Sequence, residues 1–235
     1  MVSGIVCLIF YKKEFSSLNT KVVENIKTGV QFIKSAVLLI PHELSLWFRG
    51  GMDRFLILSI VGASFSGIYS LSFQLALIMA VVAGAVNNAL IPRIYTYEGS
   101  KPFAQNYFSY LKTYSIIVFA LFTGMFFLFP FILTKIISHK YEGFIFYYRI
   151  LLVGFFLKSF YFYFVNIILF KGKSADLSKI SVTISIIHFT LMLTLLKYAG
   201  LTGATIIFCS SELLLLFIVI LQALKVLKNL QVVVK

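Results

Sequence analysis

Apolar residues run along this chain in six long blocks, with approximate limits 36–61, 67–92, 113–137, 147–170, 180–199 and 202–225. Each block reaches the ~20 residues that a helix needs to cross ~30 Å of hydrocarbon. The breaks carry Gly62 and Gly67, Gly99 with Pro102, Gly143, Gly172 with Asp176, and Gly200 with Gly203, which are residues that end helices and form turns. The pattern predicts an all-α integral membrane protein with six transmembrane helices over residues 36–225. Residues 1–11 (MVSGIVCLIFY) are apolar but too short to span, and they lack the charged front and small-residue cleavage site of a signal peptide. They read as the end of a truncated preceding helix. In residues 12–34, Val22, Ile26, Val30 and Ile33 recur at helical spacing among five lysines, which predicts an amphipathic interfacial linker. Residues 226–235 read as a short tail.

Composition sharpens this picture. The chain is 60% hydrophobic and 12% charged, about half the charged fraction of a soluble domain. Its net charge of +13 would suggest nucleic acid if the basic residues formed a stripe. Instead they fall in short loops between apolar blocks, which argues against a nucleic-acid partner. Their distribution sets a topology. One side of the membrane receives fourteen Lys and Arg residues, from the 12–34 segment, the 93–112 and 171–179 loops and the tail. The other receives four, Lys135, Lys140, Arg149 and Lys197. The positive-inside rule places the richer side, and with it both termini, in the cytoplasm.

The charges left over lie at membrane depth: Arg49, Arg54 and Lys158, with Glu43, Asp53 and Glu212. Such groups are costly in hydrocarbon and normally face a cavity or a partner. At ~100° per residue, His42, Arg49 and Asp53 share one arc of the first span, and Glu43, Gly50 and Arg54 form an adjacent strip. Hence that helix is expected to line an aqueous cavity. The alternative is internal neutralisation, since Arg49 and Asp53 sit at i,i+4 and could pair. Pro41 and Gly50-Gly51 predict either a bend or a close-packing spot. A single lobe would turn the charged arc toward lipid unless something covered it, so a partner lobe is expected.

Further along, Ala76, Ala80, Gly84 and Asn88 recur every four residues, a small-residue seam for helix contact. Gln74, Asn87 and Asn88 are candidate sugar contacts beside it. Lys158 sits mid-span among aromatics, where Tyr161 and Tyr163 read as packing residues or as platforms for sugar rings. Glu212 is placed either to titrate, in a coupling role, or to pair with Lys158. His139 and His188 read as a loop residue and a helix-interior polar residue. Cys7 and Cys209 have no metal-ligand spacing. No metal cluster, cofactor motif, phosphate-cradling loop or nucleophile motif occurs in the sequence, so neither a cofactor nor an enzyme activity is expected.

Leu39-Ile40-Pro41-His42, Trp47, Asp53-Arg54, Gly67-Ile68-Tyr69-Ser70, Asn88, Pro92 and Tyr95 together resemble the start of the second half of Wzx-type O-antigen flippases. These belong to the polysaccharide-transport branch of the superfamily that contains the multidrug and toxic compound extruders. The resemblance is most specific over residues 36–97 and is carried by span pattern from there to 235. It implies a two-lobe, twelve-helix transporter fold around a central cavity, of which this chain is one six-helix lobe, the C-terminal half. It also implies translocation of an undecaprenyl-diphosphate-linked oligosaccharide across the bacterial inner membrane, with membrane lipids and a missing N-terminal lobe or a second copy as partners. Arg49, Arg54 and Lys158 would then meet the diphosphate, since arginine binds phosphate bidentately. A multidrug or small-solute exporter of the same superfamily is the alternative. A membrane enzyme would need a large periplasmic loop or a catalytic motif.

Overall fold

The computed structural model describes the backbone of residues 22–96, 103–136 and 143–233, and every regular element among them is helical. The helices are α1 (Val22–Ile60), α2 (Ala63–Tyr95), α3 (Phe103–Thr123), α4 (Phe129–Ile136), α5 (Phe144–Phe170) and α6 (Ser174–Val233). Four stretches are long and apolar enough to cross a membrane: Ala63–Tyr95, Gln105–Lys135, Phe144–Phe170 and Ser174–Lys228. Their surface is inverted relative to a water-soluble protein. Trp47, Phe127, Leu128 and Phe131 are each at least 65% exposed, whereas Arg49, Asp53 and Glu212 are at most 2% exposed. Apolar groups outside and polar groups inside suit a hydrocarbon solvent, where a buried polar group must find its partner within the protein. The chain is a multi-pass helical membrane protein.

The last stretch is not one rod. A straight helix of 60 residues would be about 90 Å long. Gly200 breaks it with φ 55° and ψ −149°, a conformation open essentially to glycine alone. The two limbs, residues 174–199 and 201–233, fold back on each other. His188 accordingly meets Ser211 at 2.9 Å, and Gln222 lies 3.4 Å from Asp176. Spacer glycines with positive φ also make the α1–α2 and α5–α6 turns, at Gly62 and Gly172.

α3 and α4 form one membrane-length run joined by a π turn, Gly124–Leu128. The turn directly precedes Pro130, which lacks the N–H that would continue the ladder; a π turn absorbs such a missing bond. Tyr148 of α5 donates to the Met125 carbonyl within it, at 2.9 Å.

α1 is a single helix of 39 residues. It runs without interruption from residue 22 through residue 35 into the first apolar block. Residues 1–21, and with them the truncated-helix reading of 1–11, lie outside the described residues. Pro41 and Gly50-Gly51 do not end the helix. The proline removes the donor that would meet the Val37 carbonyl; beside it the hydroxyls of α6 grip the α1 backbone elsewhere, with Ser178 donating to the Leu38 carbonyl and Ser185 donating to the Ser45 carbonyl at 3.0 Å. Gly50 is a close-packing spot, where an added Cβ would lie 3.5 Å from the Phe73 ring.

The core is centred on α5, which packs against both α2 and α6. Phe73, Phe155 and Phe208, one from each helix, form a knot with centroids 4.9–5.4 Å apart. Gly154 leaves room for it. The predicted four-residue seam on α2 is present in part. Ala76 and Ala80 are buried, but the buried stripe continues through Ala83 and Asn87. Residues four apart drift about 40° per step around a helix, so Gly84 is only half-buried and Asn88 turns outward.

Candidate functional site

The charged arc of α1 points into the lobe. His42, Arg49 and Asp53 are 3%, 2% and 1% exposed, and each is met by a side chain from another helix. Thus the arc neither lines an open cavity nor faces lipid, and the expectation that a second lobe must cover it does not hold: α2, α5 and α6 already do. The cause lies in α6, whose serines and histidine were not legible as partners from spacing alone.

Arg49 and Asp53 do not pair with each other. Asp53 Oδ1 lies 2.8 Å from His188 Nε2, and its Oδ2 accepts from the Tyr69 hydroxyl at 2.8 Å. Arg49 reaches instead to Glu212 of α6, at 3.4 Å. Among the described residues its N–H groups find no well-aligned acceptor, and Glu212 Oε2 likewise has no hydrogen bond. Lys158 of α5 lies 4.0 Å from the same Glu212 oxygen. One carboxylate therefore faces two cations, leaving an excess of positive charge in a low-dielectric interior. Attraction between unit charges there is several-fold stronger than in water.

His42 is a separate node. Its Nδ1 meets Ser181 Oγ at 2.6 Å and its Nε2 meets the Tyr161 hydroxyl at 2.9 Å. Tyr161 is thereby committed to packing, and so is Tyr163, which donates to the Tyr107 carbonyl at 2.6 Å. Both rings are 1% exposed, and neither offers a face to a sugar. Arg54 is half-buried with its guanidinium 5.0 Å from the Phe73 ring centroid. Glu43 and Gln74 are exposed, and Glu43 is close enough to act electrostatically on Lys158.

Lys158 links the buried charges to the outside. Its side chain is 15% exposed and enters a groove of about 630 Å³ between α1, α2 and α5. Gly84, Asn87, Asn88 and Asn166 line this groove with it. The Asn166 amide donates to Asn87 Oδ1 at 3.1 Å. Small residues on α2, namely Ala80, Gly84 and Ala85, make the space. Of the residues singled out in the sequence, Lys158, Asn87 and Asn88 thus come together. Asn166 and His188 were not recognised as site residues, because their partners lie 79 and 135 residues away. Among the described residues no group of three or more His, Cys, Asp and Glu side chains could hold a metal.

No family model matches the chain, and no solved structure matches it. It is 25% identical over 174 residues to a Haemophilus influenzae protein named "Lsg locus putative protein 1". The match covers 71% of this chain and 43% of that protein, so the chain spans under half the length of the curated relative it matches.

Proposed function

We propose that the chain is one lobe of a transporter that moves a lipid-linked oligosaccharide, carried on undecaprenyl diphosphate, across the bacterial inner membrane. The observation that carries this reading is the Lys158 groove. A cation and three amides meet at membrane depth in a space of about 630 Å³, beside a buried carboxylate already shared with Arg49. A cation suits a phosphate, and amides both donate to and accept from sugar hydroxyls. Lys158 is the cation for which the substrate anion would compete with Glu212, while Asn87, Asn88 and Asn166 hold the sugar. The sequence resemblance over residues 36–97 supports the same substrate class.

In this reading the two limbs of α6, together with α1, α2, the α3–α4 run and α5, serve as the six crossings of a lobe. We take the longer relative as support for a second lobe, supplied by another chain segment or a second copy. Both termini of the lobe are then cytoplasmic.

The test is surface polysaccharide in a strain lacking its own flippase, with residues 1–235 expressed alone and with a first half co-expressed. Lys158→Ala and Asn88→Ala should abolish or strongly reduce display at unchanged protein level. Full display with Lys158→Ala would overturn the groove as the substrate site.

A further inference from the structure

Glu212, on the outer limb of α6, stands between two cations of different standing. Arg49 of α1 is 2% exposed and does not line the groove. Lys158 of α5 does line it, with its side chain 15% exposed. The carboxylate is shared unevenly. Its Oε1 faces both cations, at 3.4 Å from Arg49 Nη1 and 4.0 Å from Lys158 Nζ. Among the described residues, Oε2 and all three guanidinium nitrogens of Arg49 have no hydrogen bond. Asp53 is no alternative partner, since both of its oxygens are held by His188 and Tyr69.

A guanidinium and a carboxylate ordinarily close as a fork, with two parallel N–H···O bonds of about 2.7–2.9 Å. Between Arg49 and Glu212 that fork is unmade, although its donors and its second oxygen are all free to complete it. Lys158 draws on the same oxygen from another helix. Hence the group that can leave Glu212 is the one that reaches the groove, and the group that can take up the whole carboxylate is the one that does not.

We propose that Arg49 is a positioning residue for the groove: it closes on Glu212 when an anion takes Lys158, so that the lysine can be given up to that anion. This rests on the reading of the groove as the place where the substrate's anion binds. In a one-to-one Lys158–Glu212 pair, an anion drawing the lysine away would leave a carboxylate buried and unpaired, which is strongly unfavourable. With Arg49 present, Glu212 exchanges a 4.0 Å attraction for two aligned, charge-assisted hydrogen bonds. Arg49 thus serves the anion without touching it, in contrast to the direct contact with diphosphate that the family resemblance implies. The exchange also moves Glu212 toward α1, so filling the groove draws the outer limb of α6 onto α1.

Inorganic pyrophosphate is the probe, titrated calorimetrically at low salt into the detergent-purified full chain. Glu212→Gln, which frees Lys158, should bind it about tenfold more tightly than wild type. Arg49→Met, which leaves Glu212 to Lys158 alone, should bind it about tenfold more weakly. The Arg49→Met/Glu212→Gln double variant separates action through Glu212 from direct contact, and should bind as Glu212→Gln does. A double variant as weak as Arg49→Met, or single variants that shift affinity in the same direction, would overturn the proposal. Lys158→Ala should abolish binding. If it binds as wild type does, or if wild type does not bind, the groove reading itself has failed, and this inference falls with it. A second readout uses wild-type protein and so does not depend on how the variants fold. In lipid vesicles, ¹³C–¹⁵N dephasing between Glu carboxylate carbons and Arg guanidinium nitrogens, assigned with Arg49→Lys, should strengthen on adding pyrophosphate as the 3.4 Å gap closes. Unchanged dephasing in protein that binds the probe sinks the role of Arg49 and leaves the groove reading standing.

Discussion

Glu212→Gln tests the buried charge cluster directly. The substitution keeps the size and planarity of the side chain but removes the charge that Arg49 meets at 3.4 Å and Lys158 at 4.0 Å. At an effective dielectric constant of about 20, those separations correspond to about 5 and about 4 kcal/mol of attraction. Desolvation offsets much of this, and breaking a buried pair by removing one partner typically costs about 3–5 kcal/mol. For a domain of this size each kcal/mol moves the melting point by about 2–4 °C, so a drop on the order of 10 °C is expected. The asymmetry is the sharper test. Losing Glu212 strands two cations, whereas Arg49→Met leaves the Lys158–Glu212 pair intact. Glu212→Gln should therefore be the more destabilising of the two, and the Arg49→Met/Glu212→Gln double variant should fall well short of their sum. Thermal unfolding of the detergent-purified protein, followed by size exclusion, measures all of these, with exposed Glu43→Gln as the control at about wild-type stability. A Glu212→Gln protein melting within about 2 °C of wild type, or strictly additive single variants, would refute the two-cation reading.

Gly154→Ala would place a Cβ 2.7 and 2.9 Å from the Phe208 ring and 3.1 Å from the Cys209 sulfur, and should cost about 1–3 kcal/mol in the same melt; Gly124→Ala, which meets nothing within 4 Å, should not. Gly200→Ala forces a side chain into the break of the α6 hairpin and should destabilise by about 1–3 kcal/mol. Single cysteines at Ser100 and Ser138 should differ toward an impermeant maleimide in intact cells, with only the latter labelled; the reverse would overturn the orientation drawn from loop charges. Arg54→Ala, with its guanidinium on the Phe73 ring, should reduce polysaccharide display more than Arg54→Lys, because lysine keeps the charge without the planar fork; equal loss would assign Arg54 to shape rather than charge.

Membrane residence was legible in the sequence because it depends on one-dimensional quantities: the length of each apolar block and the residues between blocks. The turn at Gly200 was legible for the same reason, since a Gly between two membrane-length blocks leaves little else for the chain to do. The phase of α1 was also readable, and His42, Arg49 and Asp53 do share one buried face. What that face meets was not. Arg49 and Asp53 sit at a spacing that suits a pair, yet each is claimed from across the bundle, by Glu212 and His188, because helices 135 or more residues apart in sequence are neighbours only after folding. Helical period gives the direction of a side chain about its own axis; which helix stands in that direction is set by packing among α1, α2, α5 and α6. The same distinction explains the groove. Asn88 was read as part of a seam and Lys158 as an interior cation, and only the drift of the α2 stripe and the approach of α5 turned both into one polar wall.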